Sequence, residues 1–557
     1  MAHSLSRWLA QHGVWLDPRV HLESTPGPTA SSSSPPSTSV ALAHARRAPR
    51  ATVARIPLDL VLSHRSSSLA AVLDDRAADA LAAHAPALRL AVHVAHELAS
   101  GSRSRWATYL ELCPPREAVP IALLWNGEAR RWTRGTELLK ECDRIGINEA
   151  VLERFYNDVA LPLLSSLPST SLASLPSLST VLDAYTLVAS RAFQVSSFHP
   201  LALVPLADAF NHWDPPHVHL ASDAWVCPEC GTLGACVHDD EGEPERERES
   251  ALGPPRTSSA RDEAETVDMV CERDVEPGEE VYNTYGGALS NAHLVAAYGF
   301  LLEGNEHDVV SFERRSALET LVRLVDAAGG HPCSAEQLVP ELDELEAASQ
   351  TALNGNLLIA VDHPLIAPFP PPTSSSPASL DLVIDADARI STSLWLAVAL
   401  VAQHAAARTV PSSPERDYEQ RAAKEARAAS PSTGRGAKRA LQGAVRLAEL
   451  AGEAWQAAEE AAEDGDPGPV GASADGGGPS AQERVLEREE LRWASVLVRG
   501  LCAARVEEQV EEARELDASA LYGRAEEVDD PSLRLAIEFL AGERLLIERI
   551  VSQWTFA

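Results

Sequence analysis

Apolar positions recur with two different periods along this chain. Residues 68–166 are rich in Ala and Leu, and Leu152, Phe155 and Val159 follow one another at spacings of three and four, the signature of one helix face. Near the C-terminus Leu535, Phe539, Leu546 and Ile550 stand four, seven and four positions apart, which predicts a final helix with a single apolar face. Residues 53–63, VARIPLDLVLS, are β-branched and partly alternating, and predict a strand, a turn and a second strand. Residues 181–312 fall into short apolar runs, among them LALVPLADAF, VHLASDAWVC and EEVYNTYGG, punctuated by Pro, Gly, Asn and Asp. That is the pattern of short strands joined by loops.

Two tracts cannot contribute much to a core. Residues 24–39, STPGPTASSSSPPSTS, read as a loop, and residues 407–486, with Ala/Glu/Arg runs around SPSTGRG and GDPGPVGASADGGGPS, read as a disordered or partly helical insert. The expected organisation is α+β. A β-rich core has its N-terminal half at 1–67 and its C-terminal half at 181–312, split by a helical segment at 68–180 and carrying an insertion at 213–266. A helical domain at 313–557 holds the 407–486 insert.

Charge narrows the partner. The 557 residues carry 47 Lys and Arg against 81 Asp and Glu, a net −34, which disfavours a binder of nucleic-acid backbones, since such binding draws on Lys and Arg displacing counterions. A protein partner, preferably a basic one, fits better. The longest apolar run, Leu394 to Ala402, is far short of the roughly 20 residues that cross a bilayer, and MAHSLSRWLAQHG lacks the features of a signal peptide. With Cys113, Cys142, Cys271, Cys333 and Cys502 scattered singly, the expectation is a cytoplasmic or nuclear protein without membrane attachment. Oligomeric state is left open.

Two segments place polar side chains where a core strand or tight turn would be apolar: Leu203 to His212 (LVPLADAFNH) and Gly278 to Gly286 (GEEVYNTYG). Taken alone, Asn211-His212 reads as a capped turn before Asp214-Pro215-Pro216, and Tyr285 as a core tyrosine before a glycine turn. Together, and with Ser190-Arg191-Ala192-Phe193, Ser290-Asn291-Ala292-His293-Leu294 and Ala297-Tyr298-Gly299-Phe300 in order, they resemble the active site of SET-domain methyltransferases. The resemblance is to the branch typified by the Rubisco large-subunit methyltransferase and its ribosomal-protein-methylating relatives. SRWATYL (104–110) and WNGEARRWTRGT (125–136) resemble the helical segment that splits the domain in this branch.

The resemblance implies an S-adenosylmethionine-dependent protein-lysine N-methyltransferase acting on a protein substrate, with a ribosomal or translation protein as a candidate. By it, Arg191, Asn211, His212 and Tyr285 would hold S-adenosylmethionine, Tyr285 would be catalytic, and Phe193, Asp208 and Tyr298 would face the substrate. A guanidinium and an amide suit the zwitterionic end of that cofactor. Phe193 favours lysine over histidine, because the histidine-methylating relative resembles a version with a smaller polar residue there. Glu279 and Glu280 read as a solvated turn with no chemical role. SET domains also carry a Gly-x-Gly turn near the N-terminus, and residues 28–54 contain no glycine. That departure keeps in view a catalytically silent adaptor that binds a basic protein; a protein-histidine methyltransferase is the other alternative to the lysine methyltransferase.

The remaining cysteines cluster. Cys227-Pro228-Glu229-Cys230 and Cys236-Val237-His238 supply a C-x₂-C and a C-x-H, four potential zinc ligands within twelve residues, with Gly231 and Gly234 to bend the chain. Reduced loop thiols are the alternative. Lying between the two motif halves on a charged insertion, the cluster is expected to be a local structural zinc staple and not a catalytic metal.

Overall fold

The computed structural model describes residues 2–25, 37–41, 51–167, 174–223, 225–233, 236, 238, 265–330, 334–353, 363–367, 382–409, 435–464 and 481–555. The architecture is α+β. The chain forms two compact units, one from residues 1–125, 142–289 and 293–301, the other from 126–141, 290–292 and 302–557.

In the first unit a mixed-length antiparallel sheet has the order β1 (Trp15–Leu16), β2 (Thr52–Pro57), β7 (Thr266–Cys271), β6 (Val218–Ala221). Period-two patterning sets its faces: Val267, Met269 and Cys271 are buried, while Asp268 stands opposite Arg55 on the other face and pairs with it at 3.7 Å. A second small sheet joins β3 (Leu62–Ser63), β5 (Ala202–Leu203) and β4 (Ala192–Phe193), with Leu203 central to both pairings. The strand, turn and strand expected at 53–63 are therefore β2, a short turn and β3, in two different sheets.

Helix α1 (Ala2–Gln11) buries Leu5, Trp8 and Leu9. Helix α2 (Pro86–Ser100) begins with Pro86, whose missing N–H costs nothing at a helix start, and packs on α3 (Leu178–Arg191), which the Ser177 hydroxyl caps by accepting from the Thr180 N–H at 3.1 Å. Glu97 on α2 is buried and satisfied: it accepts from the Ser68 N–H and hydroxyl (2.6 and 2.7 Å) and from the Ser104 hydroxyl (2.6 Å).

The second unit is mainly helical, around α4 (Thr392–Thr409), α5 (Arg435–Asp464), α6 (Ala481–Glu507) and α7 (Pro531–Gln553). The apolar run Leu394–Ala402 lies in α4 and is buried on all sides, and no helix among the described residues is long and apolar enough to cross a membrane. Leu535, Phe539, Leu546 and Ile550 are buried along α7 as their spacing requires. The expected 407–486 insert needs correction. Within it α5 packs Leu441, Ala444, Leu447, Ala448 and Ala451 into the core of this unit, while residues 410–434 and 465–480 lie outside the described set. Small residues on that stripe let the helices approach, and the Trp395 indole N–H donates to the Ala444 carbonyl at 3.1 Å.

A second correction concerns residues 126–141, expected within the helical segment of the SET-like core. They belong to the helical unit. Arg505, 3% exposed, donates to Glu543 (3.1 Å) and to Glu137 (2.7 Å), and the Glu137 N–H donates to the other Glu543 oxygen at 2.8 Å. One buried guanidinium thereby organises two carboxylates.

Burial also fixes a pH dependence in the first unit. His93, whose Nδ1 lies 2.6 Å from the Ser67 hydroxyl, is pushed down to about 3, and His64 to about 4, in both cases by burial first and then by neighbouring cationic groups. The unfolded chain takes up protons near pH 6.5 and the folded one does not, so this stability is whole above about pH 6.5 and is lost as pH falls towards the folded values. The denaturation midpoint in urea should fall between about pH 7 and about pH 5.5, His93 alone contributing up to about 1.4 kcal/mol per pH unit, and His93→Gln should flatten the slope. A midpoint indifferent to pH over that window would contradict the assignment.

Candidate functional site

The candidate site is built where two distant segments of the first unit are laced together by backbone hydrogen bonds. The Asn283 N–H donates to the Asn211 carbonyl at 2.8 Å, and the Trp213 N–H to the Asn283 carbonyl at 3.1 Å. From the other side the His217 and Val218 N–H groups both donate to the Tyr282 carbonyl, at 2.8 and 3.0 Å. Asn283 stands in parallel register with both His212 and Val218. Residues 282–285 are thus inserted between 211–213 and 217–218.

A buried ion pair forms one wall. Arg191, the last residue of α3, donates through Nη1 to the Asp208 carbonyl (2.9 Å) and carboxylate (3.1 Å), with side chains 18% and 3% exposed respectively. Tyr109 donates its phenol to the same carboxylate at 2.7 Å. The chain reaches this geometry through Leu206, fully buried with φ 81°, a left-handed conformation rare for a branched apolar residue, which turns residues 207–209 so that Asp208 meets Arg191. Burial works against the Arg191 charge, but Asp208, Cys113, Tyr109 and Tyr285 together more than offset it and the guanidinium is held cationic. Burial and Asp208 push the Tyr109 phenol well above its ordinary value.

Aromatic rings form the other wall. Tyr285 stacks on Tyr298 (centroids 4.8 Å apart) and on His212 (5.2 Å), and Phe300 meets Tyr285 edge-on at 6.3 Å. His212 Nδ1 accepts from the Tyr285 N–H at 3.1 Å, so the imidazole orients the tyrosine backbone as well as its ring. The Tyr285 phenol donates to the Phe210 carbonyl at 3.3 Å, and burial pushes it above the ordinary tyrosine range. Tyr298 is pushed up to about 12 by the same cause. Both stay protonated at neutral pH. Gly299 adopts φ 77°, and a Cβ there would come within 3.0 Å of the Pro120 backbone, so only glycine lets the chain turn from Tyr298 to Phe300.

The site has donors to offer an anionic or zwitterionic ligand. The amide Nδ2 of Asn283, a residue 1% exposed, has no hydrogen-bond partner among the described residues, and the Arg191 fork keeps N–H groups besides Nη1. Both fit the amino-acid end of S-adenosylmethionine. The N-terminal zone expected to carry a glycine-rich turn falls largely outside the described residues.

Of the residues singled out from sequence, Arg191, Asp208, Asn211, His212, Tyr285 and Tyr298 come together, and Phe193 lies half-buried on β4, two positions after Arg191. Two expectations change. The Asp208 carboxylate is enclosed by Arg191 and Tyr109 as an internal counter-ion, where a substrate-facing group was expected. Glu280 is not an idle turn residue: it accepts from the Asn211 amide at 2.6 Å and from the Tyr282 phenol at 3.0 Å, while Glu279 accepts from His217 Nε2 at 3.1 Å. Tyr109 and Asn283 were within the quoted motifs, but nothing in their spacing reveals partners as distant in sequence as Asp208 and Asn211; Phe300 was quoted with Tyr298 but without its contact to Tyr285. Cys227, Cys230, Cys236 and His238 also converge, their ligand atoms all within 4.8 Å of one another.

No protein-family model matches the chain. It is similar to Ribosomal lysine N-methyltransferase 3 of Saccharomyces cerevisiae, 26% identical over 242 residues that cover 33% of this chain and 43% of that protein. It is also similar to N-lysine methyltransferase setd6 of Xenopus tropicalis, 22% identical over 257 residues that cover 44% and 46%. The chain spans less than half the length of these curated relatives. Among solved structures, Rubisco LSMT bound to AdoMet aligns over 99% of this chain and 91% of that one at 14% identity and TM-score 0.49. The SET domain of LSMT bound to lysine and AdoHcy aligns over 99% and 90% with the same identity and TM-score. The likeness to lysine methyltransferases read from the motifs is shared by the two curated relatives.

The ion pair gives a stability prediction. Asp208→Asn leaves the buried Arg191 without its counter-charge and should cost roughly 3 kcal/mol, whereas Asp208→Leu combined with Arg191→Met should cost less than Asp208→Asn alone. Urea denaturation monitored by tyrosine and tryptophan fluorescence would check it, and equal stability of wild type and Asp208→Asn would refute it.

Proposed function

We propose that this chain is an S-adenosylmethionine-dependent protein-lysine N-methyltransferase. The observation that carries the reading is the half-buried, protonated Tyr285 phenol, stacked on His212 and Tyr298 on the segment laced to Asn211. In this reading Arg191 and Asn283 supply donors to the cofactor's amino-acid end, Asn211 and His212 supply the surface it lies against, and Phe193, Tyr298 and Phe300 line the approach of the substrate side chain. The cofactor, when bound, supplies an electrophilic methyl group on a sulfonium sulfur.

The chain's own part is orientation and proton bookkeeping. A lysine amine is cationic in water, with a pKa near 10.4, and must be neutral to react. Removal from water in the channel disfavours the ammonium form and pulls that value down. The Tyr285 phenol keeps its proton, so it orients the incoming nitrogen and does not abstract from it. Asp208 is committed to Arg191 and Tyr109, which keeps a carboxylate from re-stabilising the ammonium.

The substrate in this reading is a basic protein of the ribosome or translation machinery, met in the cytoplasm or nucleus. The net charge of −34 supports it, as does the similarity to a protein named for ribosomal lysine methylation. Phe193 supports lysine over histidine.

Tyr285→Phe should lower the methyl-transfer rate by about ten- to a thousand-fold without unfolding the protein, measured with radiolabelled cofactor on ribosomal protein fractions. The wild-type rate should climb between about pH 7 and about pH 9 as the substrate amine loses its proton, and Tyr285→Phe should keep that slope. A slope that vanishes in the variant would make Tyr285 the titrating group. Asn211→Ala should weaken cofactor binding in calorimetric titration more than it destabilises the fold, and a wild type that binds no cofactor would turn the reading into that of a silent adaptor.

A further inference from the structure

We propose that Cys227, Cys230, Cys236 and His238 bind one Zn²⁺ as a closed structural site. Their four ligand atoms lie within 4.8 Å of one another, and His238 Nδ1 stands 3.7 Å from both Cys227 Sγ and Cys236 Sγ. Tetrahedral zinc with Zn–S near 2.3 Å and Zn–N near 2.05 Å would set sulfur–nitrogen edges of about 3.6 Å, so these groups stand nearly at coordination distance. Three thiolates and an imidazole are a soft donor set that excludes Mg²⁺ and Ca²⁺, and four protein ligands leave no open position for chemistry.

The backbone is shaped for the same purpose. The Gly231 N–H donates to the Cys227 carbonyl at 2.8 Å and the Cys227 N–H to the Thr232 carbonyl at 3.0 Å, closing a turn that brings the first two thiols to one side. Gly231 holds φ 74°, and a Cβ there would meet the Phe198 ring at 3.1 Å. Thr232 Oγ1 lies 3.3 Å from Cys230 Sγ, where a hydroxyl can donate to a metal-bound thiolate.

The turn is docked as well as closed. Arg65 donates to the Pro228 carbonyl at 2.9 Å, pairs with Glu229 at 3.7 Å and lies over the Phe198 ring at 5.2 Å. Arg65 follows β3, whose Ser63 hydroxyl lies 2.7 Å from His199 Nδ1. The metal would close this insertion on itself, and Arg65 docks the closed turn onto the strand end beside β3 through Pro228 and Glu229.

The test uses the full chain purified without a metal-binding tag. Elemental analysis after exhaustive dialysis should give about one zinc per chain, falling below about a tenth in Cys227→Ser with Cys230→Ser, while His238→Cys, which keeps four soft ligands, should retain it. Replacing zinc by Co²⁺ should produce the visible absorption of a tetrahedral thiolate site in wild type and in His238→Cys only. Circular dichroism of each variant separates loss of metal from loss of fold. Wild type that neither carries zinc nor takes it up from an equimolar solution overturns the proposal, and so does zinc that persists in the double serine variant.

Discussion

The site depends on one constraint, the lacing of residues 282–285 between 211–213 and 217–218 by main-chain hydrogen bonds. Side-chain chemistry follows from it. Once Asn283 donates to Asn211 and Tyr282 accepts from His217 and Val218, the backbone brings Tyr285 to the crossing where its own contacts fix it. His212, at the same crossing, then both stacks on the Tyr285 ring and accepts its N–H. Groups drawn from segments more than seventy positions apart are held on a rigid element, which is what positioning a reacting atom demands.

Both units bury an arginine and solve its cost in the same way. Arg191 is matched by Asp208, itself satisfied by Tyr109, and Arg505 is matched by Glu137 and Glu543. Removing either partner strands a charge out of water, so these positions tolerate change poorly even though the pairs add little net stability over apolar residues. In the first unit the pair also supplies shape, because Leu206 accepts a left-handed backbone to deliver Asp208.

Much of this was legible in the residues. Polar side chains embedded in LALVPLADAFNH and GEEVYNTYG marked the site because burial of Asn, His and Tyr needs partners, and the spacing of Leu535, Phe539, Leu546 and Ile550 marked α7. Glu280 was not legible, since a glutamate after Pro277-Gly278 looks like any exposed turn until Asn211 and Tyr282 reach it. Helix α5 was hidden for a different reason. Its buried stripe is mostly alanine, and Ala among Glu and Arg has the composition of a solvated tract even when it is packed. Residues 126–141 were assigned to the wrong unit because their partners, Arg505 and Glu543, lie far away in sequence.

That last pairing has a consequence for the order of events on the ribosome. The Glu137 N–H bonds to Glu543 across 406 positions, and the chain passes between the two units at residues 125, 141, 289, 292 and 301 before finishing in the second. At a synthesis rate of roughly 5–20 residues per second, residues 126–141 wait about 20–80 s for their partners to be made. Neither unit corresponds to a contiguous stretch of message. The helical unit is completed only once α7 has been made, and a nascent chain arrested before α7 leaves the Glu137 N–H and the Arg505 guanidinium without Glu543.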